Sequence, residues 1–129
     1  MRRKMLGAFA GVGLLVAGLS LPVQAHHSLS AEFDQSKPIS FNGTVKRIDW
    51  GNPHIYTHVE TKEGDKTVVY KVEGGAPNAL YRQGWREDTL KPGDAVSVRG
   101  IRAKNPESPN IGNATITKDG VSIFQGQKR

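Results

Sequence analysis

Four histidines stand in a chain that has no cysteine: His26, His27, His54 and His58. Imidazole nitrogen is a common ligand for copper and zinc, so spacing decides which of the four could share an ion. His54 and His58 lie in the strand-like run HIYTHVET. On a strand they share a face but stand about 13 Å apart, too far to meet on one metal unaided. His26 and His27 directly follow Val23-Gln24-Ala25. A cut after Ala25 makes His26 the chain terminus, where its α-amine and ring Nδ1 can close one chelate ring on a metal. An unperturbed α-amine titrates at about 7.7–8.0, so a metal displaces its proton at modest cost. One further imidazole completes a three-nitrogen site of the histidine-brace kind, suited to copper, and His27 can add its backbone nitrogen. The expected metal set is therefore His26, His27 and His54, with His58 as the alternative to His54. Trp50, Asn52 and Pro53 flank His54 at a turn and would hold it in place. The simpler reading of the same residues is a polar chain end, a turn histidine bonded to a carbonyl and a solvated strand residue.

No catalytic constellation accompanies the histidines. Ser28 lies beside two of them, but an activated nucleophile needs a base held by a third group. There is no HExxH, P-loop or GxSxG pattern. Glu87 and Asp88 read as solvated turn residues. The expectation is a binding module and not an enzyme. A copper-dependent oxidoreductase would need a substrate cleft that nothing in the sequence specifies.

The cut itself is read from the leader. Arg2, Arg3 and Lys4 form a basic start, 5–19 form an apolar run, and Val23 and Ala25 occupy the −3 and −1 positions. This is the pattern of a cleaved bacterial signal peptide. The apolar run is short for a membrane span. The arginine pair faintly resembles a twin-arginine signal, with ordinary secretion the expected route. A periplasmic protein without a stable membrane anchor follows. The full chain carries 18 Lys and Arg against 12 Asp and Glu. Removing Arg2, Arg3 and Lys4 leaves 15 against 12, a net of +3, which is no nucleic-acid footprint. Without cysteine there are no disulfides, so a hydrophobic core must carry the stability.

The elements that would position the histidines are mostly strands. After the leader (1–25), an arm over 26–37 has two apolar anchors, Leu29 and Phe33, and room for one helical turn. A barrel domain over 38–125 and a polar tail over 126–129 follow. The first strand is expected over 39–50, with a bulge near Gly43 or Lys46, because Ile48 breaks the alternation of Phe41 and Val45. Gly51-Asn52-Pro53 is a turn. The second strand, 54–61, places Ile55, Thr57 and Val59 on one face and His54, Tyr56 and His58 on the other. A loop over 62–65 leads to a third strand, 67–73. Gly74-Gly75 ends it, and a short helix over 76–84 opens on Pro77 and closes at Gly84. Trp85 is expected to pack under that helix. A turn over 90–94, a fourth strand over 95–101, a loop over 105–110 and a closing hairpin over 111–124, turning at 118–120, complete the order. Three meander strands, a helix between strands three and four, and a closing pair make a mainly β fold. The expectation is a small antiparallel OB-like barrel of five to six strands, with a sandwich of the same strands as the runner-up.

Trp50, Tyr56, Tyr70 and Trp85 could form a platform for sugar rings or bases. With nine aromatics in the chain, core duty is the expected use. Lys46, Arg47, Arg82, Arg86, Arg99 and Arg102 could edge an anion-binding face, or simply be solvated. The alternative to a copper module is therefore a metal-free OB-type module that binds a protein, sugar or anionic ligand.

His26-His27-Ser28, Ala31-Glu32-Phe33-Asp34, Asn42-Gly43-Thr44-Val45, Trp50-x-Asn52-Pro53-His54, Pro77-Asn78-Ala79-Leu80, Gly84-Trp85 and Leu90-Lys91-Pro92-Gly93-Asp94 occur in that order. The ordered set resembles a family of small exported bacterial proteins, domain of unknown function 6152. The resemblance runs from His26 to about Phe124. It implies a periplasmic location and a small β-barrel and gives no activity. Tyr56 and His58 depart from the plainer alternation the family leads one to expect in the second strand, which favours His54 over His58 as the arm's partner.

Overall fold

The structure, a computed structural model, describes residues 29–124. The expected leader (1–25), His26, His27, Ser28 and the tail from 125 onward lie outside the described residues. The elements are α1 (Leu29–Glu32), β1 (Phe33–Asp49), β2 (Tyr56–Glu63), β3 (Lys66–Glu73), α2 (Pro77–Arg82), β4 (Ala95–Ala103), β5 (Asn110–Lys118) and β6 (Val121–Phe124). The sheet order is β3-β2-β1-β4-β5-β6. A parallel pairing of β3 with β5, Lys71 opposite Asn110 and Val72 opposite Ile111, closes five strands into a ring. The fold is mainly β, with the OB-like layout expected: a meander, a helix between strands three and four, and a closing pair, to which β6 adds an edge.

The bulge in β1 falls at Lys46. Val45 opposes Val59, but the next pair is Arg47 with His58. The inserted residue resets the parity, so Val45 is buried while Ile48, opposite Thr57, still packs against the core. Ile55, Thr57 and Val59 point inward and are fully buried, and His54, Tyr56 and His58 face outward and are half-buried. With Val72, Val98, Ile111 and Ile116 they fill the ring. Each of the aliphatic side chains contributes about 1.5–3 kcal/mol on burial. Helix α2 begins at Pro77, whose missing N–H costs nothing in a first turn. It ends where Gly84, at φ +91°, turns the chain left-handed. Trp85 then packs against the core, and its backbone N–H donates to Leu80 O at 2.9 Å.

Several boundaries differ from expectation, and three of the differences have a clear cause. β1 starts at Phe33 and not at 39. Phe33 pairs with Ala103, its ring is buried, and it lies over Gly112, where a Cβ would come within 2.6–2.8 Å of the ring carbons. The register shift between Phe33 and Pro38 hides this continuation from a pattern reading. Asp34 fills the irregularity by accepting from Ser36 N–H at 3.0 Å and from Ser36 Oγ at 2.6 Å. β4 runs on to Ala103 for the same reason. β2 starts at Tyr56, because Ile55 exchanges backbone bonds with Gly74 and Gly75 beyond the end of β3.

Thr57 is the one buried side-chain polar group without a hydrogen-bond partner among the described residues. A desolvated, unpaired hydroxyl costs about 1–3 kcal/mol. Thr57→Val keeps the shape and removes that cost. The expected result is a rise of about 1 kcal/mol in unfolding free energy, read as a higher urea midpoint at unchanged slope. A lower midpoint would mean that the hydroxyl has a partner, such as a buried water.

Candidate functional site

His54 stands on the approach to β2, after a loop in which Asn52 and Pro53 are exposed and their peptide bond is cis. Its Nδ1 meets Glu73 Oε1 at 3.0 Å. Glu73 ends β3 and pairs across the hairpin with Tyr56. The His54 side chain is 43 % exposed and that of Glu73 only 20 %. Burial pushes the Glu73 carboxyl above its ordinary range, and the nearby His54 pulls it back down. With Nδ1–H donated to the carboxylate, the His54 lone pair sits on Nε2. Among the described residues nothing bonds to Nε2. A ring oriented by a carboxylate on one nitrogen and open on the other is the usual state of a metal-ligating histidine.

Helix α1 reaches the same region. Asn110 Nδ2 donates to Glu32 Oε1 at 2.6 Å, and Lys104 N–H donates to Glu32 O at 2.8 Å. Asn110 is paired with Lys71 of β3, two residues before Glu73. The Glu32 carboxylate is close enough to add to the upward push on Glu73 and on Tyr56. For Tyr56, burial is the larger cause and Glu73 the next. The Lys71 ammonium lies 4.1 Å from the centre of the Tyr56 ring. Helix α1 therefore lies on the side of the ring that carries Tyr56, Glu73 and His54.

His58 is engaged differently. The Lys46 bulge brings Arg47, Asp49 and His58 together on the outer face. His58 Nε2 donates to Asp49 Oδ2 at 2.9 Å, Arg47 Nε meets Asp49 Oδ1 at 2.9 Å, and Arg47 Nη2 lies 3.2 Å from His58 Nε2. The bond from His58, then that from Arg47, holds the Asp49 carboxyl below its usual value. His54 and His58 thus have separate carboxylate partners. Among the described residues, no three His, Cys, Asp or Glu side chains gather closely enough to hold a metal ion. His26 and His27 lie outside the described residues.

The aromatic residues divide between core and surface. Tyr70 is buried, its ring 4.9 Å from Phe41; its hydroxyl donates to Glu63 and accepts from Arg102 at 3.2 Å. Trp50 and Trp85 are half-buried against the core. Trp50 also meets Tyr81 edge-on at 5.6 Å. Of the basic residues, Lys46 pairs with Glu60, Arg47 with Asp49 and Arg102 with Glu63.

Glu73 escaped sequence reasoning as the partner of His54, yet a signal for it exists. A two-residue turn at 64–65 sets the hairpin register, and counting back from it puts Tyr56 opposite Glu73. His54 and Glu73 are then neighbours at the hairpin's open end. Tyr81 had no comparable signal, since its contact with Trp50 arises from α2 folding back toward that residue.

No helix among the described residues is long and apolar enough to cross a membrane. No curated protein and no solved structure matches the chain. A family model covers most of its length, from the apolar run through the fourth strand and into the fifth. The chain belongs to the family of unknown function DUF6152, whose model matches residues 14–111.

Proposed function

We propose that the protein is an exported, periplasmic, non-catalytic binding module that takes one copper ion at the end of the ring where His54 stands. The ligands are the new α-amine and imidazole of His26, with His27, and Nε2 of His54. The observation that carries the reading is the His54–Glu73 pair, at 3.0 Å, with Nε2 open. The docked course of α1 supports it. Three residue steps lead from His26 to Leu29, a reach of at most about 10 Å, and Glu32 already acts electrostatically on Glu73.

In this reading each group has one task. The amine and imidazole of His26 bind as a chelate, which needs the free terminus. His54 supplies the third nitrogen from a rigid barrel. Glu73 fixes the tautomer and ring angle of His54.

The test is a competitive Cu(II) titration of the mature chain beginning at His26, beside its His54→Ala and Glu73→Gln variants. Glu73→Gln is expected to weaken binding by about ten- to a hundredfold, and His54→Ala by more, with thermal unfolding unchanged in both. Wild-type affinity in His54→Ala would remove His54 from the site and the reading with it.

A further inference from the structure

We infer that Trp50, Tyr81 and Arg86 form a docking site for a carboxylate-rich segment of a partner protein. The inference is independent of copper. Tyr81 lies on α2 and is 40 % exposed, one of three large hydrophobic side chains so exposed among the described residues. Trp50 braces its ring from one direction, edge-on at 5.6 Å. Arg86 lies over the same ring, its guanidinium carbon 5.0 Å from the centre. Arg86 Nη1 donates to Trp85 O at 2.7 Å and to Tyr81 O at 3.3 Å. The backbone beneath it is fixed in turn, since Arg86 N–H donates to Thr89 Oγ1 at 2.9 Å.

This guanidinium is held still on an aromatic ring, yet it has no carboxylate partner among the described residues. Its Nε and Nη2 donors have no acceptor there either. A planar fork already oriented, with its side-chain entropy already lost, is what bidentate capture of a carboxylate needs. Arg82, in the last turn of α2, is a second exposed cation without a carboxylate partner among the described residues. Glu87 and Asp88 follow Arg86 in the chain but pair with neither arginine. By contrast Arg47, also exposed, is neutralised by Asp49 at 2.9 Å. Tryptophan, tyrosine and arginine together are the usual composition of an interface hot spot. Tyr81 offers apolar contact beside the fork, so the fitting partner is an acidic peptide with an apolar residue among its carboxylates, rather than a free anion.

The probe is the blocked peptide acetyl-Glu-Glu-Leu-Glu-Glu-amide, titrated into the mature chain at physiological salt and followed by NMR of the Trp50 indole N–H and the Arg86 Nε–H. Saturable shifts of both are expected, with no such shifts from the matching glutamine peptide. Arg86→Lys keeps the charge but loses the fork and the stacking, and is expected to weaken binding by at least about tenfold. Arg47→Ala removes an equal charge elsewhere and is expected to leave the affinity within about twofold, as a rim charge does. Wild-type affinity in Arg86→Lys, with a loss in Arg47→Ala, would mean attraction to net charge alone and would overturn the site. So would a peptide that leaves the Trp50 and Arg86 signals unmoved. Dextran sulfate binding at this patch more tightly, per charge, than the peptide would overturn the assignment to a protein partner.

Discussion

A Gly-Ser-Gly-Ser extension ahead of His26 is expected to lower Cu(II) affinity by about a hundredfold or more, or about 2.7 kcal/mol, and to leave the fold intact. The extension moves the α-amine away from the His26 ring, so the chelate can no longer close. Its length also keeps both histidines clear of the new amine, where a single added residue would bring them close enough to build a different amine–imidazole site. The barrel should not notice the change, because the described contacts of the arm begin at α1 and Phe33. Far-UV circular dichroism and the thermal midpoint check the fold, and a competing chelator reads the affinity. Unchanged affinity would mean that the terminus takes no part, and the histidines would revert to an ordinary polar end.

The second large effect concerns the anchor of the arm. Phe33 is 3 % exposed and sits at the junction of α1 and β1, its ring against Gly112 of β5. Phe33→Ala is expected to cost about 3–5 kcal/mol, the range for truncating a buried phenylalanine. Gly112→Ala attacks the same contact from the other side. Its new methyl would lie 2.6 Å from the ring edge, so the ring must move, at about 1–3 kcal/mol. Both changes should also weaken copper binding, because the ring ties the arm to the side of the barrel that carries Glu73 and His54. Gly112→Ala is the more informative variant, since the atoms its methyl meets first belong to the Phe33 side chain rather than to the barrel backbone. Lowered stability with wild-type copper affinity would show that the arm's anchorage does not serve the site.

The strands were legible because the alternation is strong and the punctuation plain. Ile55, Thr57 and Val59 alternate with His54, Tyr56 and His58, and the structure keeps that division. Gly74-Gly75 ends β3, Pro77 opens α2, and the parity break at Ile48 marks the bulge that the pairing locates at Lys46. The start of β1 was not legible. Asp34 to Pro38 is polar and ends in a residue with no N–H, so it reads as a loose arm. Phe33 in its seat on Gly112, far along the chain, draws it into the sheet. The candidate site divides in the same way. His54 could be singled out from its turn, but Glu73 required the hairpin register. The engagement of His58 with Asp49 and Arg47 required the bulge, which turns all three toward one another. Local patterns reveal elements, whereas the partners of outward-facing polar groups depend on register and closure.

The most direct test is a competitive Cu(II) titration on protein exported and cleaved by its host, with intact mass fixing the first residue. The account predicts a mass corresponding to a chain that begins at His26, and tight binding of one copper ion per chain. A chain that starts elsewhere, or one that starts at His26 and binds copper no more tightly than free histidine does, would contradict it.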